Sequence, residues 1–527
     1  MKKIPIDISD FRELVNGGYL YVDKTQYVYD LVNKNKYPFL ARPPKFGKSL
    51  LLSLIEYLFR GEKELFKDTW IYDKWDWEVY PIIKLDVGTI SAKDEDELDE
   101  KLIELFGRIA DREGVSVRER DPWTMFHDLI YEMTRKYEKR VVVLVDEYEK
   151  PVLDNILDKK KASKMRDTLR QVYTLVKGHD AELEFVFFAG LNYFIPTSIF
   201  SGLNNLISIT DHYAYAEMLG YTREEIKTYF GEHLKQASEK LKIPEEELLD
   251  KLEENYGGYS FDGKKKVFHP HAINMFFERF EFFDYFDETN QTDFVYSYLK
   301  NNKKDIDDII ESEVTSHSSL RFFQIEESRS VPFLVQTGFL SLRRIEDIFS
   351  DLYWLYFPNV QASQKIVQMI LEIKYGIKEY DLQKNMELLR NALDNEDIEK
   401  ILEIIKELFS KINWKNFEPN DEENEIVQLE EFLLLAIQTL FISLSKNCSK
   451  ERGMKNRYPK ILFIRNETLY IIALGIDKES QEVAKNSAEN YYLREEEKEK
   501  IKKIHAIGIS VSSETKLIKE WSYEKAL

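Results

Sequence analysis

Residues Tyr37-Pro-Phe-Leu-Ala-Arg-Pro-Pro-Lys-Phe-Gly-Lys-Ser-Leu50 read as a buried strand, a short loop and the start of a helix. Gly47-Lys48-Ser49 at the turn is the end of a phosphate-binding loop, G-x-x-x-x-G-K-[ST], with Arg42 where the first glycine belongs. In such a loop backbone N–H groups surround phosphates, the lysine reaches the β and γ groups, and the hydroxyl binds Mg²⁺. A side chain at Gly47 is expected to block the approach of backbone to phosphate. A lone G-K-S tripeptide arises often by chance, so its meaning depends on the rest of the chain.

A phosphate loop needs a carboxylate at the end of a second buried strand, and Val141-Val-Val-Leu-Val-Asp-Glu-Tyr148 supplies one. Five consecutive apolar residues, nearly all β-branched, fit a central parallel strand buried on both faces. Asp146 then falls at its carboxyl end, a position suited to Mg²⁺, and Glu147 is the candidate base for the attacking water. The alternative for such a run is a strand entering a polar turn. Its separation from Gly47-Lys48-Ser49 fits an ATPase core and favours ATP as ligand. Further strands at Pro81–Val87 and Leu183–Gly190 alternate with helices at Leu50–Phe59, Phe126–Tyr137 and Lys160–Val176. That alternation argues a parallel sheet flanked by helices, with ligands beyond the carboxyl ends of its strands. Asn192 follows the Leu183–Gly190 strand and is a candidate for hydrogen bonding to the γ-phosphate or the water; the alternative is a plain turn asparagine.

The 527 residues suffice for about three domains at roughly 100–200 residues each. A formal net charge of −20 argues against a protein devoted to gripping nucleic acid, whose affinity comes from neutralising phosphates, and leaves only a local basic patch for that purpose. No apolar run approaches the ~20 residues of a membrane span. The N-terminus lacks the pattern of a signal peptide. The single cysteine, Cys448, excludes an internal disulfide and fits a reducing cytoplasm. From Gly220 the pattern turns helical, with a capping box at Thr222-Arg-Glu-Glu225. His269 and His271 lack a third ligand nearby, so capping or packing outweighs metal binding. Helices are expected to continue to about Phe417, and α/β character returns with the helix Leu429–Ser445. A hairpin across Arg465-Asn-Glu-Thr468, a charged helix Tyr491–Lys502 and a strand Ile504–Val511 follow.

Tyr21-Val-Asp-Lys-Thr25, Arg42-Pro-Pro-Lys-Phe-Gly-Lys-Ser49, Val145-Asp-Glu-Tyr-Glu-Lys-Pro151, Phe200-Ser-Gly-Leu-Asn-Asn205, Tyr256-Gly-Gly-Tyr259 and Gln336-Thr-Gly-Phe-Leu340 together resemble the bacterial AAA-ATPase-like family. The resemblance covers nearly the whole chain and implies an ATPase-like region followed by a PD-(D/E)XK nuclease-superfamily domain. In the family an arginine commonly stands at the Arg42 position, so the missing glycine is a family trait. The expected fold is therefore α/β: a P-loop parallel sheet over 1–215, a helical lid-like part over 216–290, a helical connection over 291–417, and a restriction-endonuclease-like α/β domain over 418–527. The implied ligands are ATP and Mg²⁺, with Arg42, Lys45, Phe46, Gly47, Lys48, Ser49, Leu50 and Asn192 binding nucleotide. Ser49 and Asp146 would hold the metal, and Glu147, Lys48 and Asp146 would act in catalysis. Arg42 and Lys45 are expected to add positive charge near the phosphates.

The C-terminal half departs from the nuclease pattern. Arg457-Tyr-Pro-Lys460 falls where Pro-Asp is expected, and Ala473-Leu-Gly475 falls where Glu-x-Lys is expected. An ammonium, a methyl and a hydrogen cannot hold a divalent metal, which leaves Glu430 or Glu431 as the one acidic position. Three functions follow: an ATPase with a pseudo-nuclease domain used for binding or regulation, an ATP-regulated nuclease with a displaced site, and a nucleotide-dependent scaffold without turnover. Partners beyond ATP are a protein or a second copy of the chain, with nucleic acid weakly supported and a membrane excluded.

Overall fold

The computed structural model describes residues 1–191, 199–200, 202–203, 205–284, 291–321, 330–346, 350–419, 424–444, 448–451, 458–489, 491 and 501–526. They divide into two compact units, 1–298 with 313–362, and 299–312 with 363–527. The first unit is built on a five-stranded parallel sheet. Its strands are β1 (Pro38–Ala41), β2 (Ile82–Asp86), β3 (Val141–Asp146), β4 (Leu183–Gly190) and β5 (Ile207–Ser208), in the spatial order β2-β3-β4-β1-β5. All pairings are parallel. The strand that feeds the phosphate loop, β1, is therefore separated from β3 by β4.

Alternation along the strands explains why both faces are buried. Val142 and Leu144 of β3, with Phe185 and Phe187 of β4, pack with Leu52, Ile55, Leu58 and Phe59 of the helix Lys48–Phe59. On the opposite face, Phe188 meets Tyr173 of the helix Lys159–Gly178 edge-on. The sheet is a central layer between helices, as its sequence pattern implies.

A second core of the same unit gathers Leu20 and Val22 with Ile226, Phe230, Leu248, Leu252, Ile273 and Phe276 from the helices after Gly220. The helix Arg223–Tyr229 begins with the expected capping box between Thr222 and Glu225. The stretch 291–417 is mostly helical, as expected, though not throughout. It contains a three-stranded antiparallel sheet of β6 (Val314–Ser316), β7 (Ser341–Arg344) and β8 (Leu352–Tyr356), in the order β6-β8-β7. Leu352-Tyr-Trp-Leu-Tyr356 is rich in strand-forming aromatic residues, and its cross-strand pairing overrides the helical character around it. Residues 313–362 belong with the N-terminal unit, and residues 363–417 with the C-terminal one.

The C-terminal unit carries a mixed sheet of β9 (Cys448–Glu451), β10 (Lys460–Arg465), β11 (Thr468–Ile476), β12 (Lys503–Val511) and β13 (Ile518–Ala526), in sequence order across the sheet. A long apolar helix, Glu425–Ile442, precedes it. The β10–β11 hairpin turns through Asn466 and Glu467 at φ 48° and 64°, the left-handed pair that a tight two-residue turn requires. The helix Ser480–Glu489 then crosses over to β12, which runs parallel to β11. The charged helix expected over Tyr491–Lys502 falls largely outside the described residues, and Tyr491, Ile501 and Lys502 are not helical. Among the described residues no helix is long and apolar enough to cross a membrane.

Glycine conformation tests this packing. Gly258 has φ +80°, and a Cβ there would lie 1.9 Å from the Pro358 carbonyl oxygen. Gly258→Ala should therefore destabilise the N-terminal unit by about 2–4 kcal/mol. Gly231 is helical with open space at its Cβ. Gly231→Ala should stabilise by about 0.5–1 kcal/mol. Thermal unfolding of the two variants should thus move in opposite directions.

Candidate functional site

The phosphate loop leaves β1 at Ala41 and re-enters regular structure at Lys48. Two of its residues adopt left-handed backbone, Lys45 at φ 60° and Gly47 at φ 93°. Around Gly47 only the tip of Leu219 comes within 4.0 Å of a hypothetical Cβ, so backbone conformation rather than crowding requires glycine here. Gly47 is the N-cap of the helix Lys48–Phe59 and offers no side chain to cap it. The first-turn N–H groups therefore depend on another acceptor, the property that makes helix starts suited to anions. Lys48 is buried, and its ammonium donates to the carbonyls of Arg42 and Pro43, both at 3.0 Å. Burial lowers its pKa, and the charges of Asp146, Glu147 and Glu149 oppose that shift.

Arg42 departs from the sequence expectation. Its side chain is only 1% exposed, and its guanidinium donates to the carbonyls of Ala41 (2.9 Å), Thr210 (2.7 Å) and Tyr215 (3.1 Å). It also lies 3.9 Å from the centre of the Phe261 ring. Burial brings its pKa down to about 9, with Asp211 and Asp262 opposing. Its hydrogen bonds go to protein carbonyls, so it ties down the loop from behind instead of adding charge in front. Lys45 pairs with Asp7, whose carboxyl it holds below the usual range. Phe46 is buried edge-on against Tyr259, Phe261 and His269. Leu50 packs on the core beneath the sheet, and Ser49 lines the cleft beside Lys48. Asn192 lies outside the described residues.

Opposite the loop, Asp146 ends β3 and is buried, accepting the N–H of Glu147 at 3.0 Å. Its register partner on β2 is Asp86, a residue that sequence reasoning did not single out. Burial raises the Asp86 pKa, and Asp146 raises it further. Glu147 sits at φ 49°, a strained conformation for a residue with a side chain. Burial raises its pKa as well; Lys48 opposes this, and Asp146 and Asp86 reinforce it. Gly88 makes room for it, since a Cβ there would stand 2.5 Å from Glu147 Oε2 and 3.1 Å from Asp86 Oδ1. Two signals were available in the sequence: an aspartate at the carboxyl end of an expected strand, and a glycine two residues later. The loop, Glu147 and Glu149 line one cleft of about 770 Å³, within the range of small-molecule sites.

The motifs Tyr256-Gly-Gly-Tyr259 and Gln336-Thr-Gly-Phe-Leu340 converge on the back of the loop. A Cβ on Gly338, in Gln336-Thr-Gly-Phe-Leu340, would lie 3.1 Å from Pro43 and 3.3 Å from Tyr259. The Gly257 and Gly258 carbonyls accept hydrogen bonds from Asn359 Nδ2 (3.0 Å) and Tyr356 Oη (2.7 Å). His269 caps the helix Pro270–Arg279 through the Ala272 N–H and is held neutral, its pKa pushed down to about 3 by burial. Of the arginines near the ATPase region, Arg223 is committed to Glu246, Asp250 and Glu253, and Arg170 pairs with Asp167.

Comparison with known proteins supports an ATPase-type reading of the N-terminal region. The family described as predicted AAA-ATPase matches residues 5–200, which span the loop, Asp86, Asp146 and β4. The chain is 30% identical over 373 residues to an uncharacterized protein in the vnfD 5′ region of Azotobacter chroococcum mcd 1, covering 70% of each chain. The chain belongs to the predicted AAA-ATPase family. No solved structure matches it. Membership supports a nucleotide-binding, ATPase-type function for this predicted AAA-ATPase. Within the family fold, Arg42 gives a direct test of the loop's attachment. Arg42→Ala would leave three carbonyls without their donor, at about 1–3 kcal/mol for each that stays buried and unsatisfied. Arg42→Lys should fail to rescue, because one ammonium cannot reproduce the planar fork. Both variants should show lower unfolding temperatures together with weakened nucleotide binding, read by calorimetry and a fluorescent ATP analogue.

Proposed function

We propose that this protein binds Mg²⁺–ATP in the cleft and hydrolyses it beyond the carboxyl ends of β1 and β3. The observation that carries this reading is the lining of one cleft by the loop residues Gly47, Lys48 and Ser49 together with Glu147 and Glu149, with Asp146 at the end of β3 acting on the Lys48 ammonium by its charge. Lys48 is held on two neutral loop carbonyls. A phosphate oxygen is a stronger acceptor, because a charge-assisted bond is roughly twice as strong as a neutral one. The lysine is thus already placed to exchange partners. Gly47, Lys48, Ser49 and Leu50 supply the turn and the helix start for the phosphates. Ser49 and Asp146 would hold Mg²⁺, and the donor types fit, a hydroxyl and a buried carboxylate both offering the oxygen ligands this cation takes. The metal supplies charge neutralisation on the β and γ phosphates.

Glu147 accepts the proton of a water whose oxygen bonds to the γ-phosphorus as the β–γ bridging bond breaks, releasing ADP and phosphate. Its raised pKa makes it a better base than an exposed carboxylate, and Gly88 leaves the space its carboxylate occupies. Lys48→Ala should abolish Mg²⁺–ATP binding in equilibrium titration; tight binding by that variant would sink the assignment. Glu147→Gln should keep ATP affinity and lose about 10²–10⁴-fold in turnover. Unchanged turnover would remove Glu147 from the mechanism. A thermal shift with Mg²⁺–ATP but no turnover in the unaltered protein would favour the scaffold reading.

For the C-terminal unit, the succession of helix, three antiparallel strands, crossover helix and parallel strand supports a restriction-endonuclease-like domain. Its expected metal positions argue against nuclease chemistry. Lys460 is buried opposite Ala473, and a Cβ on Gly475 would collide with Val483 at 2.7 Å. Glu430 is a half-buried carboxyl with a raised pKa that accepts the N–H of Ile476. We read the domain as a pseudo-nuclease with a binding or regulatory role. Incubation with plasmid and Mg²⁺ or Mn²⁺ should give no cleavage, and cleavage abolished by Glu430→Gln would overturn this reading.

A further inference from the structure

Among the described residues, Lys24, Lys45, Lys48 and Lys150 line the cleft. Lys24 is buried on Glu225 and the Glu217 carbonyl, and Lys150 pairs with Asp154 one turn along its own helix. Lys48 rests on the two loop carbonyls. Lys45 belongs to the phosphate loop itself, just before Gly47, and its ammonium pairs with Asp7. Both partners have left-handed backbone, φ 54° at Asp7 and 60° at Lys45. Neither is buried, the side chains being 59% and 38% exposed. Water therefore screens the pair, and such exposed pairs are weak.

Asp7 sits in a stretch fastened at two ends. On one side the Lys2 carbonyl accepts from His233 Nε2 at 3.1 Å, and the Pro5 carbonyl accepts from Asn274 Nδ2 at 2.9 Å. These partners lie on the helices Gly231–Leu241 and Pro270–Arg279. On the other side Asp10 caps the helix Phe11–Asn16 and accepts the hydroxyls of Ser53 and Tyr57, at 3.2 and 2.7 Å. Those two residues stand on the helix Lys48–Phe59, which the phosphate loop feeds. Between the anchors Ile8 and Ser9 line the cleft, and among the described residues neither makes a hydrogen bond. The Asp7–Lys45 pair is what ties the middle of the stretch to the loop.

We propose that this stretch is an autoinhibitory strap, in which Asp7 competes with phosphate for the Lys45 ammonium and lets go when nucleotide binds. The inference rests on the Mg²⁺–ATP reading of the cleft. A polyphosphate carries several negative charges against the one of a carboxylate, so Lys45 gains by the exchange. The released carboxylate is then repelled by the phosphates, which drives the strap outward from the loop. Its two anchored ends join the helices after Gly220 to the phosphate-loop helix, so both feel the release.

The test is a double-mutant cycle on the full-length protein, read by calorimetric titration with Mg²⁺ and the β,γ-imido analogue of ATP. Asparagine tolerates left-handed backbone, so Asp7→Asn and Lys45→Asn remove the charges while keeping the local fold. Asp7→Asn should tighten binding about three- to tenfold, since it removes both a weak competing pair and a repulsion. Lys45→Asn should weaken binding about three- to tenfold by loss of a charge-assisted contact. In the Lys45→Asn background, Asp7→Asn should change affinity by less than about twofold, because the two residues act as one unit. Asp7→Asn that leaves affinity unchanged, or weakens it, would overturn the strap. Equal tightening with and without Lys45 would also overturn it, reducing Asp7 to a repulsive charge near the site. If neither the unaltered protein nor Asp7→Asn binds the analogue, the nucleotide reading itself fails and the strap with it. Equal binding by both leaves that reading standing and removes the strap alone.

Discussion

The buried guanidinium of Arg42 is the interaction on which the loop's shape depends. Placing a charge at 1% exposure is costly unless its donors are met, and here Nη1 and Nη2 are met by carbonyls from Ala41, Thr210 and Tyr215 while the buried Nε finds no acceptor. Those carbonyls come from the end of β1 and from the chain beyond β5, so one side chain fixes the loop to two places on the sheet. Phe261, on the guanidinium face, adds a third point from the segment between the helices Glu245–Tyr256 and Pro270–Arg279. A glycine at this position would leave the start of the loop free. The arginine therefore replaces conformational freedom with attachment, and the other motifs follow from it. Phe46 inserts into the aromatic cluster of Tyr259, Phe261 and His269, and Pro43 rests against Gly338.

The acidic side of the cleft is organised by close approach. Gly88 leaves space that the Glu147 carboxylate fills, and Gly190 does the same for Glu149, which lies 2.2 Å from a hypothetical Cβ. Glu149 accepts the N–H of Leu191 just past β4, tying the end of that strand to the turn after β3. Strain in Glu147 persists because its N–H is held by Asp146 and its carbonyl by the Lys150 N–H. Carboxylates on β2 and β3 are in register, so repulsion between Asp86 and Asp146 is built into the sheet. Such an arrangement favours a cation between or beside them.

Much of this was legible in the sequence because it is written in short-range patterns. The apolar run Val141–Val145 has the length and β-branching of a doubly buried strand, and the turn Arg465-Asn-Glu-Thr468 has the length of a hairpin. The capping box at Thr222 is a four-residue signal and appears where expected. What escaped depends on residues far apart in the chain. Arg42 looked like a charge for phosphate because nothing local reveals carbonyls 168 and 173 residues away. Asp86 gains meaning only once β2 is known to pair with β3. The β6–β8 sheet was hidden among helices because its strands are short and joined by long-range pairing. Its assignment to the N-terminal unit, against an expected boundary at 291, is a fact of packing rather than of composition.

The same small sheet meets two environments, and this constrains how the molecule uses energy. Its inner face contributes Leu342 and Tyr353 to the cavity behind Arg42 and Pro43. Its β8 strand also supplies Tyr356, whose hydroxyl holds the Gly258 carbonyl beside the loop's aromatic anchor. A phosphate on the loop therefore acts on a segment that this hairpin holds at two points, the cavity behind Pro43 and the Gly258 carbonyl. The Gly338 and Gly258 contacts, both at left-handed backbone and both against unyielding neighbours, leave little room for a small displacement to be absorbed locally. Movement at the loop would consequently be passed to the sheet.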